Sequence, residues 1–293
     1  MGKSYSHIVP VLATPQRLQE YGVGLFSEIR TKSALKKALK KELIQINGEI
    51  ATTATMIKGG ESILFTPLEV HDPGKTLNLD LKVLFEDDYL AAILKPAGIL
   101  VSGNSFRTIA NSLPQNLQNS EQIDAVTPQP VHRLDFATTG ILLVGKTAES
   151  IRRLNRMFEN KEIDKTYYAV TIGAMEAQGT IKEPIGDKEA ITHFEKEATM
   201  VSPRFDYLNL VKLHPKTGRR HQLRIHMATQ GNPILGDKDY TPEHYILRGK
   251  GMYLHASSLE FHHPFTNERL TITAPLPKRF AKLFNGRQDL DRP

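Results

Sequence analysis

Short apolar blocks alternate with charged stretches along most of the chain, and their spacing separates helix from strand. Over residues 33–43, Leu35, Ala38, Leu39 and Leu43 recur at helical intervals with lysines around the rest, which predicts an amphipathic helix. Ile44-Gln45-Ile46 then alternates into Asn47-Gly48 and Glu49-Ile50, a strong signal for a tight hairpin. Residues 66–80 hold two prolines and a glycine and read as a linker. Val83-Leu84-Phe85 and the apolar run 90–94 flank Glu86-Asp87-Asp88, giving strand, turn and strand into Lys95-Pro96-Ala97-Gly98. Strands are expected again at 141–144, 166–172 and 207–213, with helical patterns between them. The helix after Val144 should begin near Thr147, a good N-cap, with Glu149 in its first turn and Ile151, Leu154 and Phe158 on its inner face. Residues 103–130, rich in Asn, Gln and Ser, read as a surface insertion. A further helix is predicted over 219–230, stopped by Gly231 with Pro233 beyond it. The class that follows is α+β, a mixed sheet with helices on its faces.

Composition narrows the possibilities. A chain of 293 residues, 40% hydrophobic, can bury a substantial core, and one large domain with a smaller companion is expected at this length. The absence of cysteine excludes a disulfide scaffold, thiolate zinc sites and thiol catalysis, and is compatible with a reducing cytosol. No stretch approaches about 18 uninterrupted apolar residues, so no membrane partner is expected. The start, Met1 to Ser6, lacks the apolar core of a secretory signal, and a cytoplasmic location is the expectation. Gly2 and Ser6 match the short myristoylation pattern, which chance often supplies. With 38 basic against 32 acidic residues, a net of +6, a polyanionic partner is permitted without being required. Placement says more: Lys36, Lys37, Lys40 and Lys41 cluster early, and Arg152, Arg153 and Arg156 cluster after the segment 132–140. No exposed heptad or long apolar stripe asks for a second copy, so a monomer is expected.

Candidate chemistry concentrates in two segments. His132-Arg133-Leu134-Asp135-Phe136-Ala137-Thr138-Thr139-Gly140 sets a carboxylate close to an arginine in a turn rich in small hydroxyl residues. Gly218-Arg219-Arg220-His221-Gln222-Leu223-Arg224-Ile225-His226 carries three more arginines. On a helix over 219–230, Arg220 and Arg224 are four apart and project from one face. An arginine brought beside Asp135 would keep the carboxylate ionised and fix its direction. The same residues would equally suit an ordinary ion pair, or never meet. Other motifs fail on their chemistry. Gly140 to Thr147 matches the P-loop pattern letter for letter, but Ile141-Leu142-Leu143-Val144 belongs in a buried strand rather than a phosphate cradle. His221 and His226 are five apart, off the spacing of helical metal ligands, and no metal is expected. There is no Gly-x-Ser-x-Gly elbow, and no second acid for glycosidase chemistry lies in either segment.

Together these segments resemble the signature of the RluA-type pseudouridine synthases. Five blocks agree in order, at residues 83–98, 132–140, 165–173, 218–226 and 231–240, running through most of residues 82 to 280. The resemblance implies an isomerase of uridines in structured RNA, built on a mixed, largely antiparallel central sheet flanked by helices over residues 81–293. It implies Asp135 as the catalytic aspartate, Arg224 as its partner, and Tyr167 stacking on the target base with a part in proton removal. It places Arg133 in the gap left by a flipped-out base, and Leu223 and Ile225 in the pocket wall. Arg220 and His221 are expected as further RNA contacts. Thr139 stands where the family usually has serine and keeps the hydroxyl. No cofactor is implied. The basic helix, the Asn-Gly hairpin and Gly59-Gly60-Glu61 resemble an S4 RNA-binding module, placing a small α+β S4-like domain at residues 1–65, with Lys36, Lys37 and Lys40 as its RNA contacts. Such a module favours ribosomal RNA of the large subunit over transfer RNA. A non-catalytic RNA-binding assembly factor on the same fold is the alternative, and an intact Asp135 with Arg133, Tyr167 and Arg224 speaks against it.

Overall fold

The chain separates into two units, Met1–Lys75 and Thr76–Pro293. A computed structural model describes residues 4–26, 29, 31–67, 77–103, 105–247, 249 and 251–284. In the first unit an antiparallel sheet runs in the order Tyr5–Ile8, Ser62–Phe65, Ile44–Ile46, Glu49–Ile50. The predicted hairpin is present, with Asn47 at φ +51 and Gly48 at φ +89, the left-handed pair that matches the twist of the flanking strands. The basic helix spans Lys32–Lys40, capped by the Thr31 side chain, which accepts from the Ala34 amide at 3.1 Å. It stops short of the predicted residue 43 because Glu42 turns left-handed at φ +59 and the Leu43 amide bonds back to the Ala38 carbonyl. Leu35, Ala38 and Leu39 are buried, Leu43 packs on the same core, and Lys36, Lys37, Lys40 and Lys41 face water.

The second unit is built on a ten-stranded sheet. Its main path runs Gln178–Ile181, Thr192–Ser202, Asp206–Pro215, Asp164–Ile172, Leu254–His262, Thr139–Thr147, Leu90–Lys95 and Lys82–Glu86. Arg269–Thr273 pairs with Leu254–His262, and Ala125–Pro130 with Thr139–Thr147. Among these named strands the pairs are antiparallel except one, where Thr139 and Gly140 lie parallel to His255 and Ala256. The mixed, largely antiparallel sheet expected from the sequence is therefore observed.

That parallel contact is the joint of the sheet, and it requires glycine. Gly140 sits at φ +121, and a Cβ there would lie 2.2 Å from the Ala256 carbonyl oxygen. Gly145 has a different reason: a Cβ would meet Ile151 at 2.6 Å, so its absence lets the next helix settle on the strand. The two glycines of the P-loop look-alike thus serve packing within a strand. The helix Ala148–Glu159 opens with a reciprocal cap. Thr147 Oγ1 accepts from the Ser150 amide at 3.0 Å, and Ser150 Oγ accepts from the Thr147 amide at 3.1 Å. Leu154 is fully buried, with Ile151 and Phe158 packed on the same cluster.

Several expectations need correction. The strand predicted at 141–144 runs Thr139–Thr147: Thr139 pairs with His255 at one end and Thr147 with Ala125 at the other, and the Lys146 side chain buried between finds Glu86 at 2.8 Å and the Asp87 carbonyl at 2.6 Å. Residues 103–130 are not a surface insertion. Ile109, Leu113 and Leu117 enter the core, and Ala125–Pro130 is a sheet strand. The polar residues there hold backbone together: Asn116 accepts from the Leu81 amide and donates to the Leu79 and Ser112 carbonyls. Of the linker expected at 66–80, residues 68–76 lie outside the described residues, while Leu77 and Leu79 pack on the same core cluster as Leu113. The strands Thr192–Ser202 and Leu254–His262 were not anticipated.

Gly140→Ala should destabilise the protein by about 2–4 kcal/mol, since both the left-handed backbone and the contact with Ala256 oppose a methyl group. Urea unfolding checks this, and stability unchanged from wild type would contradict the assigned role of the joint.

Candidate active site

The loop that carries Asp135 enters the sheet at Thr139 and is held from below by a lysine. Lys95, fully buried, donates from Nζ to the carbonyls of Pro96 at 2.9 Å, Thr138 at 2.9 Å and Phe136 at 3.3 Å. The Gly98 amide donates to the same Phe136 carbonyl at 2.8 Å, and the Thr138 amide closes a turn onto the Asp135 carbonyl at 3.1 Å. Burial lowers Lys95 to about 8, against the raising effect of Asp135. His132, at the start of the loop, accepts from the Leu143 amide through Nε2 at 2.9 Å and tilts against Phe158. Burial, helped by the charge of Lys165, holds it down to about 4. At the end of the loop, Thr139 Oγ1 lies 2.8 Å from Nδ1 of buried His255, which burial likewise holds to about 4.

The second segment follows the strand Asp206–Pro215. Gln222 organises its turn: its Oε1 accepts from Thr217 Oγ1 at 2.7 Å and the Arg219 amide at 3.0 Å, while its Nε2 donates to the Ile191 carbonyl at 2.9 Å. The helix spans Gln222–Thr229, later than the expected start at 219, because His221 adopts a left-handed φ of +56. Arg220 therefore lies in the turn ahead of the helix and shares no helical face with Arg224. Ile225 is also misplaced by the sequence reading. It is absent from the cavity lining that includes Gln222, Leu223 and Arg224.

Arg224 is held by two carboxylates. Its Nε donates to Asp237 Oδ2 at 2.7 Å, and its Nη2 to Asp237 Oδ1 and Asp239 Oδ2, both at 2.6 Å. Burial pulls its pKa down, but the bonds to Asp237 and Asp239 outweigh this and hold it above the ordinary value. The remaining nitrogen, Nη1, stands 3.6 Å from Asp135 Oδ2. On the other side His221 Nε2 stands 3.8 Å from Asp135 Oδ1, and its Nδ1 lies 2.9 Å from the Tyr240 hydroxyl. Burial lowers His221, with Arg224 and Arg220 acting in the same sense against Asp135 and Asp239. Asp135, with 17% of its side chain exposed, is thus approached on both oxygens by groups beyond hydrogen-bond distance.

These groups face a cavity of about 540 Å³, within the range of small-ligand sites. Asp135, Arg133, Tyr167, Arg220, His221, Leu223 and Arg224 all line it, together with Lys161, Lys165, Lys216 and Arg219. Tyr167 comes from the strand Asp164–Ile172 at a bulge between Thr166 and Tyr167, and burial, then Asp135, raises its hydroxyl above the ordinary value. Burial lowers Lys165. The site can hold a polyanionic ligand at its rim and present a carboxylate within. Lys36, Lys37 and Lys40 belong to the first unit, exposed on its helix. The sequence reading missed Asp237, Asp239, Lys95 and Tyr240. Asp237 and Asp239 had a signal, being the acids in the block 231–240 nearest the arginine segment in sequence. Among the described residues no three His, Asp or Glu gather as metal ligands.

Residues 89–229 match the family model described as RNA pseudouridylate synthase. Ribosomal large subunit pseudouridine synthase D of Vibrio parahaemolyticus is 32% identical over 293 residues, covering 89% of this chain and 88% of that protein. The protein of the same name from Xanthomonas campestris is 30% identical, covering 97% and 93%. Ribosomal large subunit pseudouridine synthase C of Pasteurella multocida is 29% identical, covering 92% and 90%. Among solved structures, human RNA pseudouridylate synthase domain containing 4 shares the fold with a TM-score of 0.56 at 23% identity, covering 68% of this chain and 90% of that one. Human RNA pseudouridylate synthase domain containing 1 gives 0.55 at 24% identity, covering 70% and 86%.

Two measurements probe the site's construction. Asp237 is fully buried and Asp239 is 62% exposed, although both bond Arg224. Asp237→Ala should therefore cost about 3–5 kcal/mol of stability, against under about 1 kcal/mol for Asp239→Ala. Equal losses in urea unfolding would contradict this. Acid should also act through His132 and His255, both held to about 4 when folded. The unfolded chain protonates them near 6.5, so their contribution is complete above that pH and is lost as pH falls toward 4. His132→Gln should remove up to about 1.4 kcal/mol per pH unit from the slope of stability against pH in that window. An unchanged slope would rule out a neutral His132 in the folded protein.

Proposed function

The chain belongs to the RNA pseudouridylate synthase family, and we propose that it isomerises uridines of large-subunit ribosomal RNA with Asp135 as the reacting carboxylate. The reaction breaks the N1–C1′ bond, turns the uracil and rejoins it through C5; C5 loses its hydrogen and N1 regains a proton. The observation that carries the assignment is the half-buried Asp135 carboxylate in a cation-rimmed cavity, with its oxygens near charge but outside hydrogen-bond distance. A carboxylate in that state keeps its lone pairs available for chemistry. Tyr167 supplies a face for the base, Leu223 an apolar wall, and Arg224 the opposing charge. Arg133, exposed at the mouth, fills the place of the nucleotide that leaves its stack, which helps offset an unstacking cost of a few kcal/mol. Arg220 and the rim lysines meet phosphates. The ribosomal substrate is supported by the names of the bacterial relatives. The S4-like reading of the first unit makes Lys36, Lys37 and Lys40 a second RNA contact.

Tritium release from RNA labelled at uridine C5 tests the assignment. Wild type should release tritium from ribosomal RNA. Asp135→Asn should release none while keeping its RNA Kd within about twofold, since the substitution removes charge but almost no volume. Release by Asp135→Asn, or loss of all RNA affinity, would contradict the role given to Asp135.

A further inference from the structure

Both groups that approach the Asp135 carboxylate also lean on one phenol. The Tyr240 hydroxyl lies 2.9 Å from His221 Nδ1, and the two rings meet edge to face at 5.7 Å and 80°. Arg224 Cζ sits 5.0 Å from the centre of the same ring. Tyr240 is not among the residues lining the cavity, so its influence on substrate passes through His221 and Arg224. The backbone of His221 is itself unusual. Its φ of +56 breaks the helix ahead of Gln222, a conformation that non-glycine residues adopt infrequently and that recurs at functional sites.

The tautomer follows from the surroundings. Burial holds His221 below the ordinary imidazole value, so at neutral pH one ring nitrogen donates and the other accepts. Nε2 faces Asp135 Oδ1 at 3.8 Å. A lone pair there would oppose the carboxylate, whereas an N–H meets it favourably. The proton therefore sits on Nε2, and Nδ1 accepts from the Tyr240 hydroxyl.

We propose that His221 is a positioning residue for the reacting carboxylate rather than an RNA contact: Tyr240 fixes its tautomer, and its Nε2–H steadies Asp135 Oδ1 while Arg224 faces Oδ2. The inference rests on Asp135 being the reacting group. Polar contacts of 3.6 and 3.8 Å in a free enzyme are of the kind that tighten when substrate closes the site. Without His221 the carboxylate is steadied from one side only, and a misplacement of about 1 Å costs on the order of 100-fold in rate.

The test is the single-turnover rate on saturating RNA, with RNA Kd measured alongside. His221→Asn tolerates the left-handed backbone but is too short to reach Asp135. His221→Gln returns an amide N–H near the position of Nε2, and Tyr240→Phe removes only the hydroxyl. His221→Asn and Tyr240→Phe should slow the reaction by about 10- to 100-fold with Kd changed by less than about twofold, and His221→Gln should recover part of the rate. Lost RNA affinity at an unchanged rate would return His221 to RNA contact and overturn the proposal, as would wild-type rates in both variants. If His221→Asn fails to fold by circular dichroism, Tyr240→Phe decides alone. Asp135→Asn runs beside them. Activity in Asp135→Asn would strike the assignment of Asp135 itself, whereas an inactive Asp135→Asn with fully active His221 and Tyr240 variants would strike this inference alone.

Discussion

A guanidinium withdrawn from water needs anions around it, and at Arg224 that requirement ties together segments far apart in sequence. Asp237 takes it in a two-pronged grip and Asp239 adds a third bond, which leaves Nη1 pointing toward Asp135. Breaking such a buried pair by removing one member is costly, because the remaining charge is left uncompensated. The arrangement therefore fixes the arginine independently of Asp135. The Asp135 carboxylate feels a positive charge whose position is already determined, and it need not spend a lone pair in fixing it.

The backbone beneath Asp135 is constrained with equal force. Lys95 gathers the carbonyls of Pro96, Phe136 and Thr138, so the residues on either side of Ala137 cannot drift apart without leaving a buried ammonium unpaired. Two residues later the chain passes Ala256 so closely that only glycine fits. A loop pinned by a lysine on one side and by a sheet joint on the other behaves as part of the sheet. This is how a rigid scaffold sets a loop carboxylate to the fraction of an ångström that chemistry requires.

The parts of this architecture that were legible in the sequence are local ones. Asn47-Gly48 specifies its turn, Thr147 its cap, and the run from Ile141 to Val144 a buried strand, because each depends on residues a few positions apart. The family of the chain was legible as well, since ordered blocks survive where single motifs do not. What was hidden depends on partners distant in the chain. Lys95 reads as the end of one more strand until the fold sets it beneath the carbonyls of Phe136 and Thr138, more than forty residues on. Asn116 reads as loop composition until it is seen holding the Leu79 and Leu81 backbone. The helix of the second segment was placed too early because nothing in Arg220-His221-Gln222 announces that His221 will turn left-handed. That error also put Arg220 on a face it does not share, and Ile225 in a pocket it does not line.

On the proposed reading, one carboxylate, steadied by fixed charge and a fixed imidazole, converts uridine in ribosomal RNA. Pseudouridine mapping by chemical derivatisation and sequencing of total RNA tests it most directly, in cells lacking this chain and in the same cells expressing either wild type or Asp135→Asn. Specific ribosomal sites should lose pseudouridine in the deletion strain and regain it with wild type alone. Restoration by Asp135→Asn, or an unchanged map in the deletion strain, would contradict it.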